Sequence, residues 1–232
     1  MFLMGLPFIV AAGLLMQNKV EGKRPLKPGE VVTMFTFDQD KVGELPGTWR
    51  NRGAVQAKKP AEWTVVVDTA APSPPHVLAV TKLAEDPSGY NVAMVKNIKT
   101  RVFTLTAKVK PMSGKEDQGG GLIWRAVDDQ NYYVARINPL ENNFRVYKVV
   151  DGKRTQMGTV DVETRVDTWY TMEVISLGDG FVCTIDQRWT LEFGDDSFPE
   201  AGLVGVWTKA DAMTAFDDFE VIAKDQPPAP GK

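Results

Sequence analysis

From Val31 onward the sequence alternates short β-branched and aromatic runs with clusters of Gly, Pro, Asn and Asp, and no long segment keeps a helical period. The runs Val31–Phe37, Trp63–Val67, His76–Lys82, Val102–Val109, Trp169–Ile175, Gly202–Thr208 and Phe216–Ile222 are predicted as strands. Gly119 to Val160 reads as a four-stranded meander with turns at Asp128–Asn131, Pro139–Asn142 and Asp151-Gly152. The last is a strong hairpin signal, because a type I′ turn needs positive φ at both central residues. The pattern predicts one all-β domain over residues 31–224, built of two antiparallel sheets packed as a sandwich.

Side chains alternate across a strand, so a one-residue slip in pairing exchanges the faces, and hydrophobic sorting tests the register. Val127 is paired with Tyr132, Asn138 with Asn143 and Val150 with Lys153. One face then collects Leu122, Trp124, Ala126, Tyr133, Ala135, Ile137, Phe144, Val146 and Met157, which is a core. The other collects Arg125, Tyr132, Arg136, Asn138, Asn143, Arg145, Tyr147, Arg154 and Gln156. Arginine forks and amides supply directional hydrogen bonds, and tyrosines offer flat surfaces for the apolar side of a sugar ring. The candidate ligand-binding set is therefore Arg125, Tyr132, Arg136, Asn138, Asn143, Arg145 and Tyr147, with Trp207 and Lys209 near the end of another strand. A solvated face whose arginines pair with nearby carboxylates explains the same alternation. The scarcity of acidic residues on that face favours binding.

The chain ends differ from this domain. Phe2 to Met16 is an uninterrupted run of apolar and small residues, suited to the hydrophobic part of a signal peptide and shorter than the ~20 residues that span a bilayer. Residues 1–18 are predicted to be a signal peptide, or a short membrane anchor if they stay attached, although no Lys or Arg precedes the run. Residues 19–30 read as a linker and the Pro-rich stretch 225–232 as a disordered tail. The expected location is secreted or periplasmic. A net charge of −3 gives no global basic field to recruit nucleic acid. The single cysteine, Cys183, rules out an intrachain disulfide and sits in a strand-like run that suits a buried, inert thiol.

Candidates for chemistry are few. His76 is the only histidine and follows a Pro-rich entry to a strand, where a structural role is expected. Gly119-Gly120-Gly121 lacks the Lys-Ser/Thr of a phosphate loop and instead permits close backbone approach. Glu141, Glu173 and Asp211 are the carboxylates an enzyme reading would draw on. In Phe216-Asp217-Asp218-Phe219 the phenylalanines have opposite parity, so burying both requires a bulge at the acidic pair. Asp217 and Asp218 are accordingly a candidate structural Ca²⁺ site, completed by carbonyls of the first strand.

The segments Gly-Gly-Gly-Leu-Ile-Trp-Arg (119–125), Asn-Tyr-Tyr-Val-Ala-Arg-Ile-Asn-Pro-Leu-Glu-Asn-Asn-Phe-Arg-Val-Tyr-Lys (131–148) and Trp-Thr-Lys-Ala-Asp (207–211), with the Phe-Asp-Asp-Phe ending, resemble the bacterial laminin-G/concanavalin A-like family. That family includes domains described as 3-keto-disaccharide hydrolases and relatives of laminarinase-type glycoside hydrolases. The resemblance implies an extracytoplasmic jelly roll whose concave sheet handles a polysaccharide or oligosaccharide, often with Ca²⁺ near the chain ends. Laminarinase-type enzymes carry Glu-x-Asp-x-x-Glu on one strand, and no such run exists here. Hydrolysis ordinarily needs two placed carboxyl groups. A glycan-binding module is thus the leading expectation, a hydrolase of the 3-keto-disaccharide type and a protein-adhesion domain the alternatives.

Overall fold

The computed structural model describes residues 25–52, 60–85 and 89–224. The predicted signal segment and the Pro-rich tail lie outside the described residues, as does the linker up to residue 24. In chain order the strands are β1 (Val31–Phe35), β2 (Trp49–Arg52), β3 (Glu62–Val67), β4 (His76–Lys82), β5 (Tyr90–Thr100), β6 (Val102–Ser113), β7 (Gly120–Ala126), β8 (Tyr132–Asn138), β9 (Asn143–Val150), β10 (Lys153–Asp161), β11 (Tyr170–Leu177), β12 (Gly180–Ile185), β13 (Trp189–Gly194), β14 (Gly202–Lys209) and β15 (Met213–Ala223). One sheet runs β13-β12-β11-β6-β15-β4-β3, with β1 also paired to β15; the other runs β10-β9-β8-β7-β14-β5-β2. Among the described residues there is no helix, and the predicted two-sheet antiparallel sandwich is the fold the chain adopts. The long β5 is not among the segments predicted as strands.

The core is what alternation dictates. Alternate residues of β6, β11 and β12 (Leu105, Ala107, Val109; Met172, Val174; Phe181, Cys183, Ile185) meet Leu122, Trp124, Tyr133, Ala135, Ile137, Phe144 and Val146 of the facing sheet. Aromatic edges lock the layers: Trp49 meets Phe219 at 5.0 Å and Phe35 at 5.4 Å, both T-shaped.

The meander keeps the predicted pairs Asn138–Asn143 and Val150–Lys153. Its first hairpin pairs Trp124 with Tyr133, two residues away from the predicted Val127–Tyr132 alignment. A two-residue shift preserves parity, so the faces sort as expected up to Trp124. At Arg125 they do not. Between Ile123 and Ala126 β7 carries one residue more than the β14 stretch Leu203–Gly205 facing it, and Arg125 adopts φ 50°. The bulge carries the Arg125 guanidinium to within 5.6 Å of the Phe181 ring of the opposite sheet, and Ala126 joins the outer cluster rather than the core. Arg125 donates there to the carbonyls of Phe198, Glu200 and Gly178. It cross-ties loops between the sheets and is absent from the face to which the alternating pattern assigns it.

The second predicted bulge is present. Asp217 faces Lys108 and Glu220 faces Thr106, leaving one extra residue in β15, and Asp218 takes φ 47°. Phe216 and Phe219 are both fully buried, and β1 pairs with β15 through Phe35–Phe219. Of the acidic pair, Asp217 has its oxygens engaged within the protein. Asp217 is buried, and its oxygens accept from the Ser73 N–H (2.9 Å), the Ser73 hydroxyl (3.0 Å) and the Asp218 N–H (2.7 Å). These neighbours are hydrogen-bond donors, whereas a cation needs oxygen lone pairs. No group of three or more His, Cys, Asp or Glu among the described residues is arranged to hold a metal.

Burial pushes the Asp217 carboxyl up to about 6, against the N–H groups of Ser73 and Asp218 that pull it down. A folded-state value above the ordinary 3.8 favours folding with Asp217 protonated, so this contribution is full below about pH 4 and is lost as pH rises through 6. Wild type is therefore expected to gain thermal stability relative to Asp217→Asn as pH falls from 7 to 4. Chelator is expected to leave the wild-type melting curve unmoved. Separately, Phe219→Ala should cost about 3–5 kcal/mol in denaturant unfolding, since it opens a cavity between two aromatic contacts.

Candidate functional site

The outer face of the β10–β2 sheet carries one row in which Trp207, Gly121, Arg136 and Arg145 are successive cross-strand partners. The sheet curls towards this side. Tyr90 on β5 and Arg154 on β10 are separated by four strands, about 24 Å in a flat sheet at the usual spacing. Yet the Arg154 guanidinium lies 6.0 Å from the Tyr90 ring centroid. Two side chains cannot close that distance across a flat sheet, so the face is concave.

Curvature fills the middle of the face with its own side chains. Val92, Met94, Ile123, Tyr132, Val134, Tyr147, Val149, Leu203 and Trp207 form a second apolar cluster. The Trp207 indole donates to the Tyr132 hydroxyl at 3.1 Å across β7, where Gly121 leaves the row without a side chain. A Cβ on Gly121 would stand 1.9 Å from the Ala135 carbonyl oxygen. Tyr90 packs on Trp207 at 5.4 Å, and Arg154 covers Tyr147 at 4.1 Å. The expected flat surfaces for sugar stacking are therefore not offered by Tyr132, Tyr147 or Trp207, which are buried; half-exposed Tyr90, not among the predicted residues, is the outermost ring.

At one end of the concave face the surface turns polar. Arg136 is fully buried and donates Nη1 to Asn143 Oδ1 (3.1 Å) and Nη2 to both oxygens of Glu141 and to the Tyr147 hydroxyl, all at 3.1 Å. Glu141 lies in the Pro139–Asn142 turn, closed by Asn142 at φ 48°, which folds the carboxylate back over its own hairpin. Arg145 also donates to Glu141, and the Asn138 amide bridges Glu141 (3.3 Å) and Asp117 (3.2 Å). Asp117 precedes the glycine run and accepts from Gly119 N–H at 2.6 Å, with Lys209 Nζ at 3.8 Å. Asp211 caps three successive amides, those of Lys115, Glu116 and Asp117, and so fixes the loop that carries Asp117.

Of the predicted residues, Arg136, Asn138, Asn143, Arg145, Tyr147 and Lys209 come together here, Tyr132 and Trp207 lie beneath the same face, and Arg125 stands apart. Asp117 was not legible as a partner, since nothing in the sequence ties it to residues about twenty positions on; the adjacent glycines were its one signal. The accessible groups are Glu141, Arg145 and Lys209, whose side chains are 39%, 29% and 30% exposed over the buried Arg136 and Asp117. The other candidates lie elsewhere. Glu173 pairs with Thr106 and Thr184 in the opposite sheet, His76 meets the Phe37 carbonyl at 3.3 Å, and burial pushes the Cys183 thiol up.

Burial alone would raise both carboxyls at this site. For Asp117 it wins over the Arg136 charge and the Gly119 N–H, and its pKa is raised. For Glu141 the charge of Arg136, the Asn143 amide and Arg145 outweigh it, and its pKa is lowered. A lowered carboxylate contributes stability above its ordinary value that is lost as pH falls. Wild type is expected to lose stability on acidification below about pH 4.5 more steeply than Glu141→Gln, as followed by thermal melts between pH 6 and 3.

No family model matches the chain, and no curated protein matches it. Solved structures do. The carbohydrate-binding module CBM66 from Bacillus subtilis aligns with TM-score 0.58 at 16% identity, over 75% of this chain and 94% of that one. The likeness is one of fold. A GH43 protein, BlXynB from Bacillus licheniformis, aligns with TM-score 0.54 at 15% identity, over 82% of this chain and 39% of that one. A B. subtilis protein described as having a galectin-like fold aligns with TM-score 0.51 at 13% identity, over 75% of this chain and 88% of that one. The architecture is thus that of galectin-like jelly rolls, and membership of the laminin-G family is not shown by these matches.

Proposed function

We propose that the chain is a glycan-binding module, acting outside the cytoplasm, that holds a sugar in the concave face at Glu141, Arg145 and Lys209. The observation that carries this reading is the layering of the site. A buried Arg136–Asn138–Asn143–Asp117 scaffold carries three partly exposed charged groups at one end of the concave face. Sugar hydroxyls take bidentate and charge-assisted hydrogen bonds of the kind these groups supply, and preorganisation lowers the entropic cost of binding. The description of the CBM66 structure as a carbohydrate-binding module supports the same reading.

The test is a glycan array followed by titration calorimetry on the best-bound oligosaccharide. Arg145→Ala and Lys209→Ala are each expected to weaken binding about tenfold, roughly 1.4 kcal/mol, with the fold retained and melting temperature lowered by no more than a few degrees. Absence of binding to every neutral, uronate and sulfated glycan would overturn the reading.

One observation favours a second reading, a sugar-acting hydrolase. Asp117 and Glu141 both accept from the same Asn138 amide nitrogen, and their pKa values are displaced in opposite directions, the pattern of an acid and a base sharing a site. Against it, Asp117 is almost fully buried and both Glu141 oxygens are held by arginine. Incubation with 3-keto-glucosides decides: release of free sugar by wild type, abolished in Asp117→Asn and Glu141→Gln, would establish the hydrolase.

A further inference from the structure

The arginines of the concave face differ in whether their charge is matched. Arg136 and Arg145 share Glu141, and Arg125 is turned away onto three carbonyls. Arg154 forms no ion pair with any described carboxylate, and its Nη1 is buried without a hydrogen-bond partner. It is held in place by the Tyr147 and Tyr90 rings, at 4.1 and 6.0 Å, which restrain its orientation but leave its net charge unmatched.

The opposite rim repeats the situation. On β2, Trp49 points into the core, so alternation turns Arg50 and Arg52 outward onto the concave face, opposite Met94 and Val92 of the outer cluster. Neither forms an ion pair among the described residues, and Arg50 Nε is likewise buried and unpartnered. Strands β10 and β2 are the two edges of the curled sheet. Three guanidinium groups without an ion pair among the described residues therefore stand on the two edge strands of the concave face, in a chain whose net charge is −3. Low-dielectric walls concentrate such a local field.

We infer that the groove selects an anionic glycan, with carboxylate or sulfate groups of successive sugars received by Arg154 on one rim and by Arg50 and Arg52 on the other. The inference rests on the glycan-binding reading and narrows it to a ligand class. A guanidinium whose charge no carboxylate matches offers two parallel N–H donors to either anion. Arg154 and Arg52 are then specificity-determining residues, while Glu141 and Lys209 address hydroxyls common to charged and neutral sugars.

The experiment compares matched probes on the full chain: oligouronates against their carboxyl-reduced forms, and sulfated oligosaccharides against their desulfated forms. Wild type is expected to bind at least one charged probe tenfold or more tightly than its neutral partner, with the preference shrinking as salt rises from 50 to 500 mM. Arg154→Gln and Arg52→Gln should each reduce that preference about fivefold while leaving affinity for the neutral partner unchanged. The pair that shows the effect identifies the anion as carboxylate or sulfate. Arg52 is exposed, so its variant keeps the test valid if Arg154→Gln disturbs folding. Equal binding of charged and neutral probes would overturn the inference and leave the glycan-binding reading standing. Binding of none of the probes would overturn both.

Discussion

A fully buried guanidinium sets the terms for this face of the molecule. Arg136 gives up its hydration on a concave sheet, and a charge desolvated to that extent must be paired and hydrogen-bonded by the protein itself. Its two terminal nitrogens find partners in Glu141 from the β8–β9 turn, Asn143 at the start of β9, and Tyr147 four residues further along that strand. Glu141 in turn orders Arg145, and Asn138 carries the network on to Asp117 and the Lys209 strand. The tight turn, the amides on both of its flanks and the placement of the exposed charges are all tied to the terminal nitrogens of one buried arginine.

Curvature is the second constraint, and it decides what remains accessible. The curl brings Arg154 of the β10 edge to Tyr90 of β5 across four intervening strands, over an aromatic cluster that is itself buried. Gly121 makes this packing feasible by letting β7 and β8 approach where a Cβ would clash. The bulge at Arg125 ends the regular face and converts what would have been a further charged side chain of that face into a tie between loops of the sandwich.

Much of this was legible in the alternation of residues. The meander turns, the core face and the clustering of Arg136, Asn138, Asn143, Arg145 and Tyr147 follow from a period of two and from turn chemistry, both local properties. The Phe216/Phe219 parity conflict likewise located the β15 bulge, because two buried phenylalanines three apart cannot share a regular strand. What alternation could not reveal depends on three dimensions. Positive φ at Arg125 breaks parity without any glycine to mark it. Asp117 reaches the site through a loop fixed by Asp211, nearly a hundred residues away. The burial of Tyr132 and Trp207 depends on curvature, which the sequence pattern does not encode. The partners of Asp217 are likewise hidden: its acceptors are visible in the sequence, whereas the Ser73 donors 144 residues away are brought to it only by the fold.

The most direct measurement of the central claim is an NMR titration of the full chain with oligosaccharides, following the side-chain Nε–Hε resonances of arginine. Ligand in the concave groove should shift Arg145, Arg154 and Arg52, which line it, and move Arg101 and Arg188, which belong to the other sheet and its turns, little or not at all. Shifts confined to Arg101 and Arg188, or to amides of the Thr106–Glu173–Thr184 face, would contradict the account.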